Sequence, residues 1–201
     1  MRVRMMVGGL VLNVCAMAAM AQMPMSDMHK ETAMETKLKP SVAVDSQLSL
    51  IEEEMMGAVK AMPADKFDFA PSAAIFAAGQ KPEFTKVRTF GQQAAHVAQA
   101  NYFLYSAMTG MKPDVDMGAI GKMTKKDDIV AALAGSFAFA HKAIATLTEK
   151  NAFDAVKIDE PGVYTKATLA LFGVGHAYDH YGQMVVYLRM NGIVPPASAK
   201  M

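Results

Sequence analysis

The chain has 201 residues, 52% of them apolar, which is enough for one domain with a substantial core once a targeting segment is set aside. Lys and Arg total 20 against 19 Asp and Glu, so no basic footprint points to DNA or RNA, and no nucleic-acid partner is expected. Small molecules, metal ions and other proteins remain as ligand classes.

The chain opens with the basic "MRVR", followed by the apolar "MMVGGLVLNVCAMAAM" and by Ala19-Met20-Ala21, a small-x-small cleavage pattern before Gln22. Residues 1–21 therefore read as a signal peptide, and the mature protein is expected to be exported, periplasmic or secreted, with no membrane attachment after cleavage. The competing readings are a retained anchor, for which the run is short, and a lipoprotein at Cys15, which the bulky Val14 disfavours. Cys15 is the only cysteine and lies inside this segment. The mature chain then has no thiol, which excludes disulfides, thiolate ligation and a cysteine nucleophile. Soft ligation falls to Met and nitrogen ligation to five histidines.

Residues 22–44 read as a flexible Met-rich leader broken by Pro24 and Pro40. Within it "MPMSDMH" (Met23 to His29) gathers three thioethers and an imidazole, a set suited to Cu(I) or else an unstructured stub. Four amphipathic helices follow, each identified by apolar residues three and four apart. The first carries Leu48, Ile51, Met55, Val59 and Met62, with Glu52, Glu53 and Glu54 in its early turns, and Pro63 ends it. The second spans about Glu83 to Met108 on a stripe of Val87, Phe90, Ala94, Val97, Asn101 and Leu104, with Gly110 as its stop. The third opens on "TKKD" (Thr124 to Asp127), a capping-box pattern, and buries Ile129, Leu133, Phe137, Ala140, Ile144 and Leu147. The fourth starts near Tyr164 or Thr165 and ends at Asn191-Gly192, before Pro195-Pro196. No segment alternates as a strand. The expected fold is all-α, a four-helix bundle over residues 45–196 with a 197–201 tail, and the two longer connections allow a crossover.

The fourth helix carries an anomaly. Its seam reads Leu169, Phe172, His176, His180, Gln183, Tyr187, Met190. Residues four apart project from one face, so His176 and His180 can aim at one ion. Burying unpaired imidazoles costs about 1–3 kcal/mol per group, and a metal would satisfy them; hydrogen bonds to backbone are the alternative. A third ligand must come from elsewhere: His29 in the leader, His141 between Phe137 and Ile144, or His96, beside Ala100 and Phe103 where small residues leave room. Gln183 either supports the site or bridges helices. Gly173, Gly175 and Gly182 read as places of close helix approach or of space beside the site.

"HAYDHYGQMVVYLRMNGIVPP" resembles the C-terminal signature of the DinB/YfiT-like superfamily, in which two histidines four apart precede Gly-Gln, an apolar run, Leu-Arg, Gly and Pro-Pro. Those positions are His176, His180, Gly182, Gln183, Leu188, Arg189, Gly192, Pro195 and Pro196. "MPADKFDFAP" (Met62 to Pro71) is similar to the segment after the family's first helix, and "FGQQAAHVAQANYFL" resembles its second helix, whose histidine is a metal ligand. The resemblance implies a four-helix bundle with a divalent ion held by His96, His176 and His180. It also implies a metal-dependent hydrolase or transferase acting on a small substrate, and a homodimer. Zn heads the expected metals, with Ni, Fe or Cu comparable for three nitrogens, and three histidines leave a fourth position for water or substrate. The alternative is a non-catalytic metal-binding or stress-response bundle. The chain departs from the family in having Asp179 and Tyr181 beside His180, where many members carry a histidine doublet and an arginine. Asp179 reads as either a support for an imidazole or a solvated residue. No general base stands out; Asp179, Tyr102 and Tyr105 are nearest in sequence. Export also sets the chain apart, because low-molecular-weight thiol cofactors are cytosolic.

Overall fold

The computed structural model describes residues 37–72, 78–81, 87–159 and 161–199. The expected signal peptide, Cys15 and the "MPMSDMH" segment with His29 lie outside the described residues.

Helix α1 spans Pro40–Ala61. Its first residue is the proline expected to break a leader, because Pro fits the first helical position, where the missing N–H has no partner to lose. Val44, Leu48, Ile51, Met55 and Val59 face inward, and all but Val44 are fully buried. After Met62 the chain makes a short 3-10 turn, Ala64–Lys66. Phe67 then packs edge-on against Phe90, ring centroids 5.4 Å apart. The amides of Phe90 and Gly91 donate to the carbonyls of Phe69 and Phe67, at 2.9 and 2.8 Å.

Helix α2 spans Phe90–Thr109 and starts later than the apolar pattern suggested. Thr89 and Gln92 cap it reciprocally: the Gln92 amide donates to the Thr89 hydroxyl while the Thr89 amide donates to Gln92 Oε1. Gly110, at φ 77°, ends it in the left-handed region that favours glycine. A one-turn helix α3, Met117–Ile120, interrupts the next connection.

Helix α4 spans Lys126–Ile144. The "TKKD" box does not form; Lys125 is the N-cap and makes no side-chain cap. Lys126 instead sends its ammonium to the last carbonyls of α1, Lys60 at 2.9 Å and Met62 at 2.6 Å. Ile129, Leu133, Phe137, Ala140, Ile144 and Leu147 are buried as the periodicity predicts.

Two-residue strands β1 (Ala155–Val156) and β2 (Tyr164–Thr165) pair antiparallel, Ala155 with Thr165 and Val156 with Tyr164. The ladder delivers Thr165 as the N-cap of α5, Lys166–Met190, where it caps reciprocally with Thr168. A short α6, Pro196–Ala199, lies against α1. The architecture is the expected all-α bundle.

Around the bundle the order is α1, α4, α2, α5: α2 packs on α4 and α5, and α1 on the same two helices. Both the α1–α2 and the α4–α5 connections therefore run across a diagonal, the crossover that their length permits. The buried face of α5 is rotated from the expected seam. It comprises Leu169, Ala170, Gly173, Val174, Ala177, His180, Met184, Tyr187 and Leu188, leaving Phe172 and Met190 exposed. Small residues make this possible. The Tyr105 hydroxyl on α2 donates to the Ala170 carbonyl at 3.2 Å, and a Cβ on Gly173 would stand 2.6 Å from the Tyr105 hydroxyl oxygen. Gly175 and Gly182 have no such role, since a Cβ there would meet nothing within 4 Å. Among the described residues no helix is long and apolar enough to cross a membrane.

Candidate metal centre

Because α2 and α5 are neighbours, one turn of each can face the other. His96 lies a third of the way along α2, and His176 and His180 lie one turn apart on α5. His176 Nε2 stands 3.2 Å from His96 Nε2 and 3.2 Å from His180 Nε2, and the three ligand atoms lie within 4.8 Å of one another. His180 is only 5% exposed, while His96 and His176 are half-buried.

Gln93, one turn before His96 and buried, reaches across to α5. Its Oε1 accepts from His180 Nδ1, and its Nε2 donates to Gln183 Oε1 at 2.9 Å. Gln183 Nε2 in turn donates to Asp179 Oδ2 at 3.2 Å. Gln183 thus both bridges the helices and supports the site. Asp179 is exposed and touches the amide of Gln183 rather than an imidazole. With its proton held on Nδ1 by Gln93, His180 presents a lone pair at Nε2.

Burial pushes the His96 pKa down to about 4, helped by the positive fields of Arg88 and His176. Burial also lowers His180 to about 4, with His176 and His96 adding to the shift and Asp179 opposing it. His176 is lowered by burial as well, against the pull of Asp179. All three rings are therefore neutral near pH 7.

Three neutral rings meeting at their Nε2 atoms satisfy one another poorly. His176 Nε2 has two close nitrogen neighbours, and one proton cannot serve both. Its Nδ1 is buried and has no partner among the described residues. A cation that accepts all three lone pairs removes the conflict at Nε2. The spacing also fits: nitrogens about 2.0–2.1 Å from a tetrahedral Zn²⁺ stand roughly 3.3 Å apart, against 3.2 Å for the two close pairs here.

The other histidine candidates lie elsewhere. His141 on α4 is held by two carboxylates of α1, Nδ1 at 2.6 Å from Asp45 Oδ1 and Nε2 at 2.8 Å from Glu52 Oε2. Burial lowers its pKa, but the hydrogen bonds and charges of Asp45 and Glu52 outweigh that and leave it above the usual value. It is a helix clamp. Tyr105 is spent on Ala170, and Tyr102 is packed beside Phe139 with ring centroids 5.4 Å apart. Sequence reasoning missed Gln93. Its one local trace is a polar side chain one turn before His96, in a segment of buried apolar residues.

A cavity of about 370 Å³ opens beside His96 and His176. Its walls come from α2, from α5 and from Tyr164 of β2.

The family model of the DinB superfamily matches residues 47–184. The structure is similar to the crystal structure of a DinB-like protein from Bacillus cereus ATCC 10987, with a TM-score of 0.63 at 15% identity. That likeness covers 77% of this chain and 95% of the other, and at this identity it speaks for the fold. No curated protein matches the chain.

Proposed function

Because the chain belongs to the DinB superfamily, we propose that it binds one divalent metal ion through His96, His176 and His180 and acts as a metal-dependent hydrolase or transferase on a small substrate. The observation that carries this reading is the meeting of three neutral imidazoles from two helices, with one ring fixed from behind by Gln93. Zn²⁺ is the proposed ion, and Ni, Fe and Cu are accepted by the same donors. A divalent cation held there supplies Lewis acidity to whatever occupies its remaining side. The protein's own part is positional. Gln93 and Gln183 keep His180 in one tautomer and one orientation, and the cavity gives a substrate access to the side of His96 and His176.

A second reading, metal binding without turnover, is favoured by one observation. Asp179, the carboxylate nearest in sequence, is exposed and bound to Gln183, so it is not aimed at the imidazoles as a base. We extend the first reading to an exported, homodimeric protein. Support for export lies in residues 1–21 and support for the dimer in the family resemblance; N-terminal sequencing of the mature chain, expected to begin at Gln22, and mass measurement in solution test them.

The decisive experiment is metal analysis of purified protein after loading, beside His96→Ala and the double variant His176→Ala/His180→Ala. Wild type should hold about one equivalent and both variants far less. Equal content in all three overturns the site. With metal bound, turnover of esters, amides or phosphoesters separates enzyme from binder. Copper(I) uptake that disappears on deletion of Met23 to His29 would assign a separate role to the leader.

A further inference from the structure

We infer that the cavity beside His96 and His176 is a subsite for a small uncharged molecule that carries one aromatic ring and one hydroxyl or amide group. The inference deepens the reading above and rests on it only for the end of the molecule that meets the imidazoles.

The walls specify the ring. Phe172 on α5 is 45% exposed and Phe103 on α2 is 40% exposed, so two large aromatic side chains stand open to water on the two helices that carry the histidines. Leaving such surface wet is unfavourable, and a ligand that covers it regains the loss. Tyr164, held by the β1–β2 ladder and by its hydroxyl donating to the Pro161 carbonyl at 2.8 Å, stands 6.3 Å from Phe172, ring to ring. Phe172 is in turn 6.2 Å from the His176 ring. These rings form one aromatic wall that ends at a proposed metal ligand. Ala100, one turn beyond His96, contributes only a methyl group, and this leaves the space open.

Polarity and size specify the rest. Gln99 lines the cavity, and one of its two Nε2 hydrogens is donated to the Met117 carbonyl at 2.7 Å. What remains for a ligand is the second Nε2 hydrogen and Oε1, a donor and an acceptor side by side, which ask for a hydroxyl or an amide. Among the described residues no carboxylate, ammonium or guanidinium lines the cavity. A charged ring substituent would lose water there without gaining a counter-charge. At about 370 Å³ the cavity lies at the small end of ligand pockets, which run from about 300 to 1,000 Å³. One ring with a short arm fits that size, whereas a peptide or an oligosaccharide does not.

The test uses zinc-loaded full-length mature protein and two probes with the same chelating head, acetohydroxamate and benzohydroxamate. Benzohydroxamate is expected to bind about tenfold to a hundredfold tighter, the worth of covering a phenyl ring. Phe172→Ala and Phe103→Ala should collapse that ratio while zinc content and acetohydroxamate affinity hold. Equal affinity for the two probes on the zinc-loaded wild type overturns the inference. So does a 4-carboxylate derivative that binds tighter than benzohydroxamate. A second arm needs no metal: benzyl alcohol added to the metal-free protein should shift the methyl signals of Ala100 and Leu104 in an NMR spectrum, and should do so more than benzyl methyl ether. Absence of any shift, or no preference for the alcohol, overturns the subsite whatever the metal result. Failure of both hydroxamates together with zinc-free protein counts against the metal reading alone, and the benzyl alcohol arm then decides the cavity.

Discussion

Replacing Gln93 with leucine tests whether the amide behind His180 tunes the metal centre or merely fills space. Gln93 is 2% exposed, so leucine, close in volume and apolar, keeps the packing while removing two hydrogen bonds. Each bond is worth about 0.5–1.5 kcal/mol net, and the stranded His180 Nδ1–H adds about 1–3 kcal/mol. The metal-free variant should therefore remain folded but lose roughly 2–6 kcal/mol of stability. His180 would also be free to exchange tautomers, which costs the centre its fixed Nε2 lone pair. Loss of such a supporting group typically weakens metal affinity by about 10–100-fold, or about 1.4–2.7 kcal/mol. Competition with a chromophoric zinc chelator reads the affinity, and urea unfolding of metal-free protein reads the stability. Gln93→Glu keeps an acceptor for Nδ1 and should retain most of the affinity, even though it gives up the donor to Gln183. Zinc affinity of Gln93→Leu within about twofold of wild type would refute the reasoning, because the ring would then be oriented by packing alone.

The clamp at His141 makes stability depend on pH. Its pKa is raised in the folded state, so its contribution is complete below the unfolded value of 6.5 and is lost as pH rises through the higher folded value. His96, His176 and His180 act in the opposite sense, with stability lost as pH falls below 6.5. The difference in urea midpoint between wild type and His141→Leu, followed from about pH 6 to pH 9, should therefore shrink with rising pH; a constant difference would count against the clamp. Gly173→Val should destabilise by roughly 2–4 kcal/mol or prevent folding, because even its Cβ would fall 2.6 Å from the Tyr105 hydroxyl, while Gly175→Ala, in open space inside α5, should stabilise by about 0.5–1 kcal/mol and raise the thermal midpoint. Lys126→Met should cost about 1–3 kcal/mol through the two α1 carbonyls it leaves without the ammonium, measured by chemical unfolding.

The fold was legible where periodicity alone decides. Leu48, Ile51, Met55 and Val59 on α1, and Ile129, Leu133, Phe137, Ala140 and Ile144 on α4, repeat at helical spacing and are buried as that spacing requires. Reading failed where large apolar residues drew the stripe. On α5 the expected seam followed Phe172 and Met190, yet Ala170, Gly173 and Ala177 are the buried residues, and Gly173 lets Tyr105 approach the Ala170 carbonyl. Helix starts failed for a similar reason. The apolar pattern ran into α2 before Thr89 and Gln92 closed its cap, and on α4 the Lys126 ammonium reached α1 in place of the expected box. In the site, the spacing of His176 and His180 was visible, but the choice of His96 over His141 needed the family resemblance. Gln93 left only the trace of a polar side chain one turn before His96, because its partner His180 lies 87 residues away and the pairing itself has no local record.

The position of the histidines follows from the path of the chain. Both long connections cross the bundle, so α2 and α5 become neighbours although His96 and His176 are 80 residues apart. An all-neighbour winding would have set α2 between α1 and α4 and left α5 facing it across the core. The adjacency puts the three rings at the edge of the buried stripe rather than at its centre, so the two sides of the centre differ. Toward Gln93, Gln183 and Asp179 every step is a side-chain hydrogen bond, which fixes a ring but leaves no room. Toward Ala100, Phe103 and Phe172 lies a cavity whose far wall is mainly apolar, with the Gln99 amide as its polar group beyond the imidazoles. A purely structural histidine cluster would gain nothing from that asymmetry, because an open apolar mouth only exposes surface. The proposed centre, which is to stay rigid while admitting one small ligand, calls for both sides, and α2 and α5 supply them through residues one turn to either side of His96.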